Sequence, residues 1–208
     1  MSTLLKLDSS PMGPHSISRK LTSKFADSWL KLHPEGNVVA RDLTLMGLPA
    51  VDGFWVGAAF TPAAARTPEQ NQALAISDAL VADLQHANEY VLGVPMHNFG
   101  VPSTLKLWID QVVRAGETFA YTTQGPSGLL TDKKATLLIA SGGSYEHGSA
   151  MASLNFVAPY LKAVFGFIGI TDVNIIAAEG TAQLMSGKVD PEAFLAPTLD
   201  KVHAQASL

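Results

Sequence analysis

Five short apolar runs, Thr3–Leu7, Asn37–Arg41, Tyr90–Val94, Lys134–Ala140 and Val173–Ala177, alternate along this chain with longer segments of helical spacing. That alternation constrains the fold more than any other signal, because parallel strands need long crossovers and the crossovers are helices. It predicts an α/β chain whose parallel sheet is covered on both faces. Helices are predicted over Ser16–Leu32, about Thr67–Ala87, Ser103–Ala115, Ala152–Phe165 and Pro191–Ala206. In the first, Ile17, Leu21, Phe25 and Trp29 recur at helical spacing. Residues 43–70 form a long connection with room for a short helix. Phe119–Leu130, with Gly125-Pro126-Ser127-Gly128 inside it, predicts an excursion or hairpin.

At 208 residues the chain suits one domain, 1–208. Hydrophobic residues make up 47%, enough for a full core, and charged residues only 15%, against a usual ~25%. A shortage of charge implies hidden surface, and an obligate oligomer supplies it most simply. The net charge of −4 argues against a nucleic-acid partner. Without cysteine, disulfides, thiolate metal sites and cysteine nucleophiles are excluded. The first residues do not read as a signal peptide, and no apolar run reaches the ~20 residues of a membrane span. The expected compartment is the cytoplasm.

Five strands joined in this way match the flavodoxin-like order 2-1-3-4-5 in a three-layer αβα fold. Ligands of such sheets bind at the carboxyl ends of the strands, by strands one and three. Three loops fall there. The first holds Ser9, Ser10, Ser16 and Ser18, whose hydroxyls and nearby helix N–H groups suit an anion. Ordinary capping explains such serines more often. The second is Pro95-Met96-His97-Asn98-Phe99-Gly100. It carries no nucleophile, metal-ligand cluster or Lys, so it suits holding a flat ligand; a connection filling core explains it equally well. The third is Ser141-Gly142-Gly143-Ser144, where paired glycines let backbone approach a ligand or simply make a tight turn.

Other chemistry is missing from the sequence. There is no GxGxxG after the first strand, no GxxxxGK[ST], no HExxH and no GxSxG. The histidines are scattered, and no metal site is expected. His97 and His147 fall on the proposed site loops.

From these residues the chain resembles the FMN-dependent NADH azoreductases, flavodoxin-like homodimers that also reduce quinones. The matching stretches run nearly end to end. They include Ser9-Ser10 with Ser16-Ile17-Ser18, Arg41-Asp42-Leu43, Pro95 to Phe99, Arg114-Ala115-Gly116-Glu117-Thr118-Phe119 and Gly125 to Leu129. Late in the chain, Pro159-Tyr160-Leu161 precedes Phe165-Gly166-Phe167-Ile168-Gly169-Ile170-Thr171-Asp172.

The resemblance implies bound FMN, with NADH or NADPH as co-substrate and a quinone or azo compound as acceptor. It implies that Ser10, Ser16, Ile17 and Ser18 hold the FMN phosphate. Pro95, Met96, His97, Asn98 and Phe99 would contact the ring and ribityl chain, and Ala140, Ser141, Gly142 and Gly143 the pyrimidine end. Tyr121, Phe167 and His97 would shape the substrate pocket, with Phe167 reaching across a homodimer. The hydride would travel through the flavin N5 in a ping-pong scheme, so no protein acid or base is obligatory; His97 and Tyr121 are the candidate proton donors. The family often has Tyr at the place of His97 and Arg-Gly-Gly at that of Ser141-Gly142-Gly143, so substrate range and redox tuning are expected to differ here. Glu146 to Met151 reads as an insertion. An alternative is a flavodoxin-type electron-transfer protein without a small-molecule substrate of its own.

Overall fold

A computed structural model describes residues 2–208. Seven strands and six α-helices follow one another as β1 (Thr3–Asp8), α1 (Ile17–Leu32), β2 (Asn37–Asp42), α2 (Gly53–Phe60), α3 (Pro68–His86), β3 (Glu89–Pro95), α4 (Ser103–Val112), β4 (Phe119–Thr122), β5 (Gly125–Gly128), β6 (Lys134–Ala140), α5 (Val157–Phe167), β7 (Asp172–Ala178) and α6 (Pro191–Gln205). Five strands make one sheet in the order β2-β1-β3-β6-β7, every pair parallel. The expected order, 2-1-3-4-5, differs in detail. The predicted excursion contributes two strands of its own, β4 and β5, which pair antiparallel outside the sheet and displace the numbering.

The period of two along each central strand sorts its side chains into two cores. Leu5 and Leu7 of β1, Tyr90, Leu92 and Val94 of β3, and Leu137 and Ile139 of β6 share one cluster with Leu84, Trp108, Leu161 and Phe165 from α3, α4 and α5. Leu4, Val91 and Leu138, on the other face, meet Leu21, Phe25 and Trp29 of α1 and Leu195 and Val202 of α6. Helices therefore cover both faces, as parallel strands require. A small third cluster of Trp55, Ala58 and Leu74 seats α2 on α3.

Helix starts follow their capping residues. Ser16 caps α1 by accepting from Arg19 N, Asp52 caps α2, and Thr67 forms a full capping box with Gln70 at α3. Two predicted helices are shorter than expected. α4 stops at Val112, because Thr118 Oγ1 accepts from Arg114 N and turns the chain toward β4. The predicted helix from Ala152 breaks after a single 3-10 turn, Ala152–Leu154, and α5 begins only at Val157. Asn155 separates the two, its side chain accepting from Ala158 N.

Close approach explains two glycines. A Cβ on Gly128 would lie 2.1 Å from Gly169 N, so the β4–β5 hairpin rests directly on the turn after α5. A Cβ on Gly93 would stand 2.9 Å from Thr22 Cγ2 and 3.0 Å from Ser18 O, so β3 runs tight against the start of α1.

Candidate functional site

The carboxyl edge of the sheet brings the three loops together. Ser9 N and Ser9 Oγ both donate to Gly93 O, at 3.3 and 2.8 Å, tying the loop after β1 to β3. Met96 N donates to Ala140 O at 2.8 Å, tying the loop after β3 to the end of β6. Thr104 Oγ1 donates to Ser9 O, so α4 braces the first loop as well.

In the first loop, Ser10, Ser16 and Ser18 are buried. Ser16 and Ser18 hydroxyls lie 3.1 Å apart, and Ser10 Oγ accepts from Met12 N. Ile17 and Ser18 are the first two residues of α1, and among the described residues their N–H groups meet no acceptor. Free N–H groups at a helix start, beside three hydroxyls, form a donor set for an anion such as phosphate. The Ile17 side chain packs on the second core, so only its backbone serves the loop.

Around this loop lies an ion network that the sequence reading did not find. Asp8 and Asp42 end β1 and β2 side by side in register. Arg19 Nη2 meets Asp42 Oδ2 at 2.8 Å and Arg19 Nη1 meets Asp8 Oδ2 at 3.5 Å. Lys6 also pairs with Asp8, and Thr22 Oγ1 donates to Asp8 Oδ1 at 2.7 Å. Arg19 Nη2 donates to Ser10 O as well. Burial alone would raise the Asp42 pKa, but hydrogen bonds from Thr44 and Arg19 hold it below its ordinary value. The signal available beforehand was the Arg41-Asp42-Leu43 stretch, whose Arg41 pairs with Asp83 of α3.

The second loop is a tight turn. His97 N donates to Gly100 O and Gly100 N to His97 O, each at 3.0 Å. Asn98 and Phe99, between them, have φ of 49° and 71°. Asn tolerates the left-handed region; Phe does so rarely, at a cost of about 1–3 kcal/mol. The surroundings hold it there. Phe99 O accepts from Phe156 N at 3.1 Å, and the Phe99 ring meets Tyr145 edge-on at 6.4 Å. His97 is exposed.

In the third loop the carbonyls of Ser141, Gly142 and Gly143 are taken by one turn of the chain beyond β7. Thr181 N and Thr181 Oγ1 donate to Ser141 O, Ala182 N to Gly142 O and Gly180 N to Gly143 O. The buried Ser141 also donates its hydroxyl to Gly143 O at 2.9 Å. The N–H groups of Gly142 and Gly143 meet no acceptor among the described residues. Glu179, another residue missed from sequence, gathers the loop that follows: one carboxylate oxygen accepts from Ser144 Oγ, Tyr145 N and Glu146 N.

Tyr121 and Phe167 come together through Phe119. Phe119 packs 5.4 Å from Tyr121 and 4.6 Å from Phe167, centroid to centroid. Phe119 is buried, whereas Tyr121 is 71% and Phe167 39% exposed. The Phe119-Ala120-Tyr121 spacing, two residues on one side of a strand, was the signal for this wall. No ring pair or hydrogen bond joins His97 to it among the described residues. Among the described residues, no three His, Asp or Glu side chains are grouped to hold a metal ion. Among the described residues, no helix is long and apolar enough to cross a membrane.

A family model described as a flavodoxin-like fold matches residues 2–204. The FMN-dependent NADH:quinone oxidoreductase of Acidobacterium capsulatum is 53% identical over 207 residues, covering 100% of both chains. The FMN-dependent NADH:quinone oxidoreductase 3 of Burkholderia lata is 47% identical over 204 residues, 98% of this chain and 99% of that one. Among solved structures, an FMN-dependent NADH-azoreductase from Bacillus anthracis in complex with FMN superposes with a TM-score of 0.87 at 30% identity, covering 100% of this chain and 98% of that one.

Proposed function

This chain belongs to the family with the flavodoxin-like fold, and from that premise we propose that it is an FMN-dependent NADH:quinone oxidoreductase that also reduces azo compounds. The observation that carries the reading is the set of uncommitted donors along the carboxyl edge of the sheet. At the start of α1 they suit a phosphate: the hydroxyls of Ser10, Ser16 and Ser18 with the N–H groups of Ile17 and Ser18. At the end of β6 they suit the polar rim of a flat ring: the N–H groups of Gly142 and Gly143. Pro95 to Phe99 lie between, and Ala140 and Ser141 complete the ring's pyrimidine end. Neutral donors at one end and an apolar loop beside them fit a phosphorylated flavin.

FMN, when bound, would supply the redox chemistry between NADH or NADPH and the acceptor. The chain's own residues bind and orient. Gly142 and Gly143 offer fixed dipoles to negative charge on the ring, which cost no reorganisation when that charge develops. Donor and acceptor would bind in turn, a ping-pong scheme, and azo cleavage to two amines would take two rounds. Tyr121, Phe119 and Phe167 form the wall against which the acceptor stacks. His97 and Tyr121, both exposed, are the candidate proton donors, and neither is obligatory.

The reading includes a homodimer of single-domain chains, in which Phe167 reaches the pocket of the second copy. Leu45, Phe54, Phe60 and Phe156 are exposed large apolar side chains, and burying them fits the low charge content. Sedimentation should then report twice the 22.0 kDa chain mass. The main test is optical. The purified protein should be yellow with stoichiometric FMN, bleach on anaerobic addition of NADH, and regain colour with a quinone. Colourless protein that gains no thermal stability from added FMN overturns the proposal. Steady-state rates with NADH and NADPH, against a quinone and an azo dye, then define the donor and acceptor.

A further inference from the structure

Two carboxylates stand where a phosphate dianion is least welcome. Asp8 and Asp42 are the last residues of adjacent strands, paired in register, and Ser10 lies two residues beyond Asp8. Left uncompensated, they would repel the phosphate that the serines are arranged to receive. Arg19, the third residue of α1, lies between them and the loop. Its guanidinium reaches Asp42 at 2.8 Å and Asp8 at 3.5 Å, and donates to Ser10 O at 3.3 Å. Its own backbone N–H donates to Ser16 Oγ at 3.2 Å.

A cation so near a phosphate loop invites the idea that it binds the phosphate directly. The geometry argues otherwise. Both terminal nitrogens face protein oxygens, and the remaining one, Nε, is buried without a partner and closed to solvent. With Lys6 paired to Asp8, the cluster of Lys6, Asp8, Arg19 and Asp42 carries two positive and two negative charges. Lys20 and His15 are exposed and line a neighbouring groove of about 490 Å³ with Met12 and Ile17.

We propose that Arg19 is a positioning residue for the cofactor phosphate: it neutralises Asp8 and Asp42 and fixes the Ser10 carbonyl, so that the chain selects FMN over riboflavin with oriented neutral donors rather than with a free cation. This rests on the FMN reading above. A fork is needed for the task, because one side chain must engage two carboxylates and a carbonyl together; Lys is a point charge that cannot. The arrangement leaves the ring loops untouched, so its effect is confined to ligands that carry the phosphate.

The experiment titrates apoprotein with FMN and with riboflavin, reading the quenching of flavin fluorescence. Arg19→Met should weaken FMN at least tenfold while riboflavin changes less than threefold. Arg19→Lys should fall between Arg19→Met and the unaltered protein. Adding Asp42→Asn to Arg19→Met should recover FMN affinity at least threefold, since one repelling carboxylate is gone. Asp42→Asn alone keeps Arg19 and leaves the cluster one positive charge in excess. It should tighten FMN about threefold and make its binding more sensitive to salt, and it serves if Arg19→Met fails to fold. Lys20→Gln should leave the FMN to riboflavin ratio within twofold. Equal losses for both flavins in Arg19→Met, no recovery in the double variant, or a large loss of FMN preference in Lys20→Gln would each overturn the proposal. Unaltered protein that binds neither flavin would instead remove the FMN reading on which it stands.

Discussion

The rings of Phe119 and Phe167 lie 4.6 Å apart, and their contact joins the β4–β5 hairpin to the last residue of α5. One ring is buried and the other partly open, so the pair acts as a fixed backing for an exposed surface. Phe167→Ala should raise the KM for a quinone about fivefold or more, with FMN content unchanged. Phe119→Leu should shift the same constant and also cost about 1–2 kcal/mol of stability. Unaltered kinetics with every acceptor in Phe167→Ala would place that ring outside the pocket.

Gly128→Ala tests the seat of the hairpin. The new methyl would press on backbone at Gly169, which cannot swing aside as a side chain can. A loss of about 3 kcal/mol in urea unfolding is expected, together with a higher acceptor KM. A variant as stable as the parent would mean that the two backbones separate readily.

Ser16→Ala separates capping from ligand binding. Loss of the cap on Arg19 N should cost about 1 kcal/mol in apoprotein stability. FMN binding should weaken by roughly tenfold beyond that, for want of one buried donor. Riboflavin binding should not follow.

Acid should weaken the fold through Asp42. Its folded pKa lies below the ordinary carboxyl value, despite burial, because Thr44 and Arg19 stabilise the charged form. The unfolded state therefore binds a proton first. The contribution is fully present above the ordinary value of ~3.9 and is lost as pH falls through the lower folded value. Urea midpoints from pH 6 down to pH 3 should decline less steeply in Asp42→Asn than in the parent. Parallel profiles would show that the hydrogen bonds on Asp42 add no net stability.

Much of this was legible in advance for a local reason. Alternation in Leu4-Leu5-Lys6-Leu7 and in Tyr90-Val91-Leu92 reports two covered faces, because side chains of a strand alternate. Loops after the first, third and fourth parallel strands could be placed at one edge by topology alone. What stayed hidden depends on chain segments meeting. The pairing of Arg19 with Asp8 and Asp42 joins three elements, and each partner read alone is an ordinary charged residue. Phe119 gave a faint signal and Glu179 none, since its three donors come from a loop more than thirty residues earlier. Helical spacing also ran through Ala152 to Phe165, whereas the Asn155 side chain recruits the N–H of Ala158 and restarts the helix.

The grip of Glu179 on Ser144, Tyr145 and Glu146 has a mechanical side. It hangs the segment beyond Ser144 from the end of β7, while Gly142 and Gly143 are held by the separate turn at Gly180–Ala182. Four consecutive residues, Glu179 to Ala182, thus carry both parts of one loop. Residues 147–154 lie between two fixed points, since Tyr145 and Phe156 both touch Phe99. A change of length there would pull on Phe99 as well as on Glu179, so the segment after β6 and the turn after β3 are mechanically one piece.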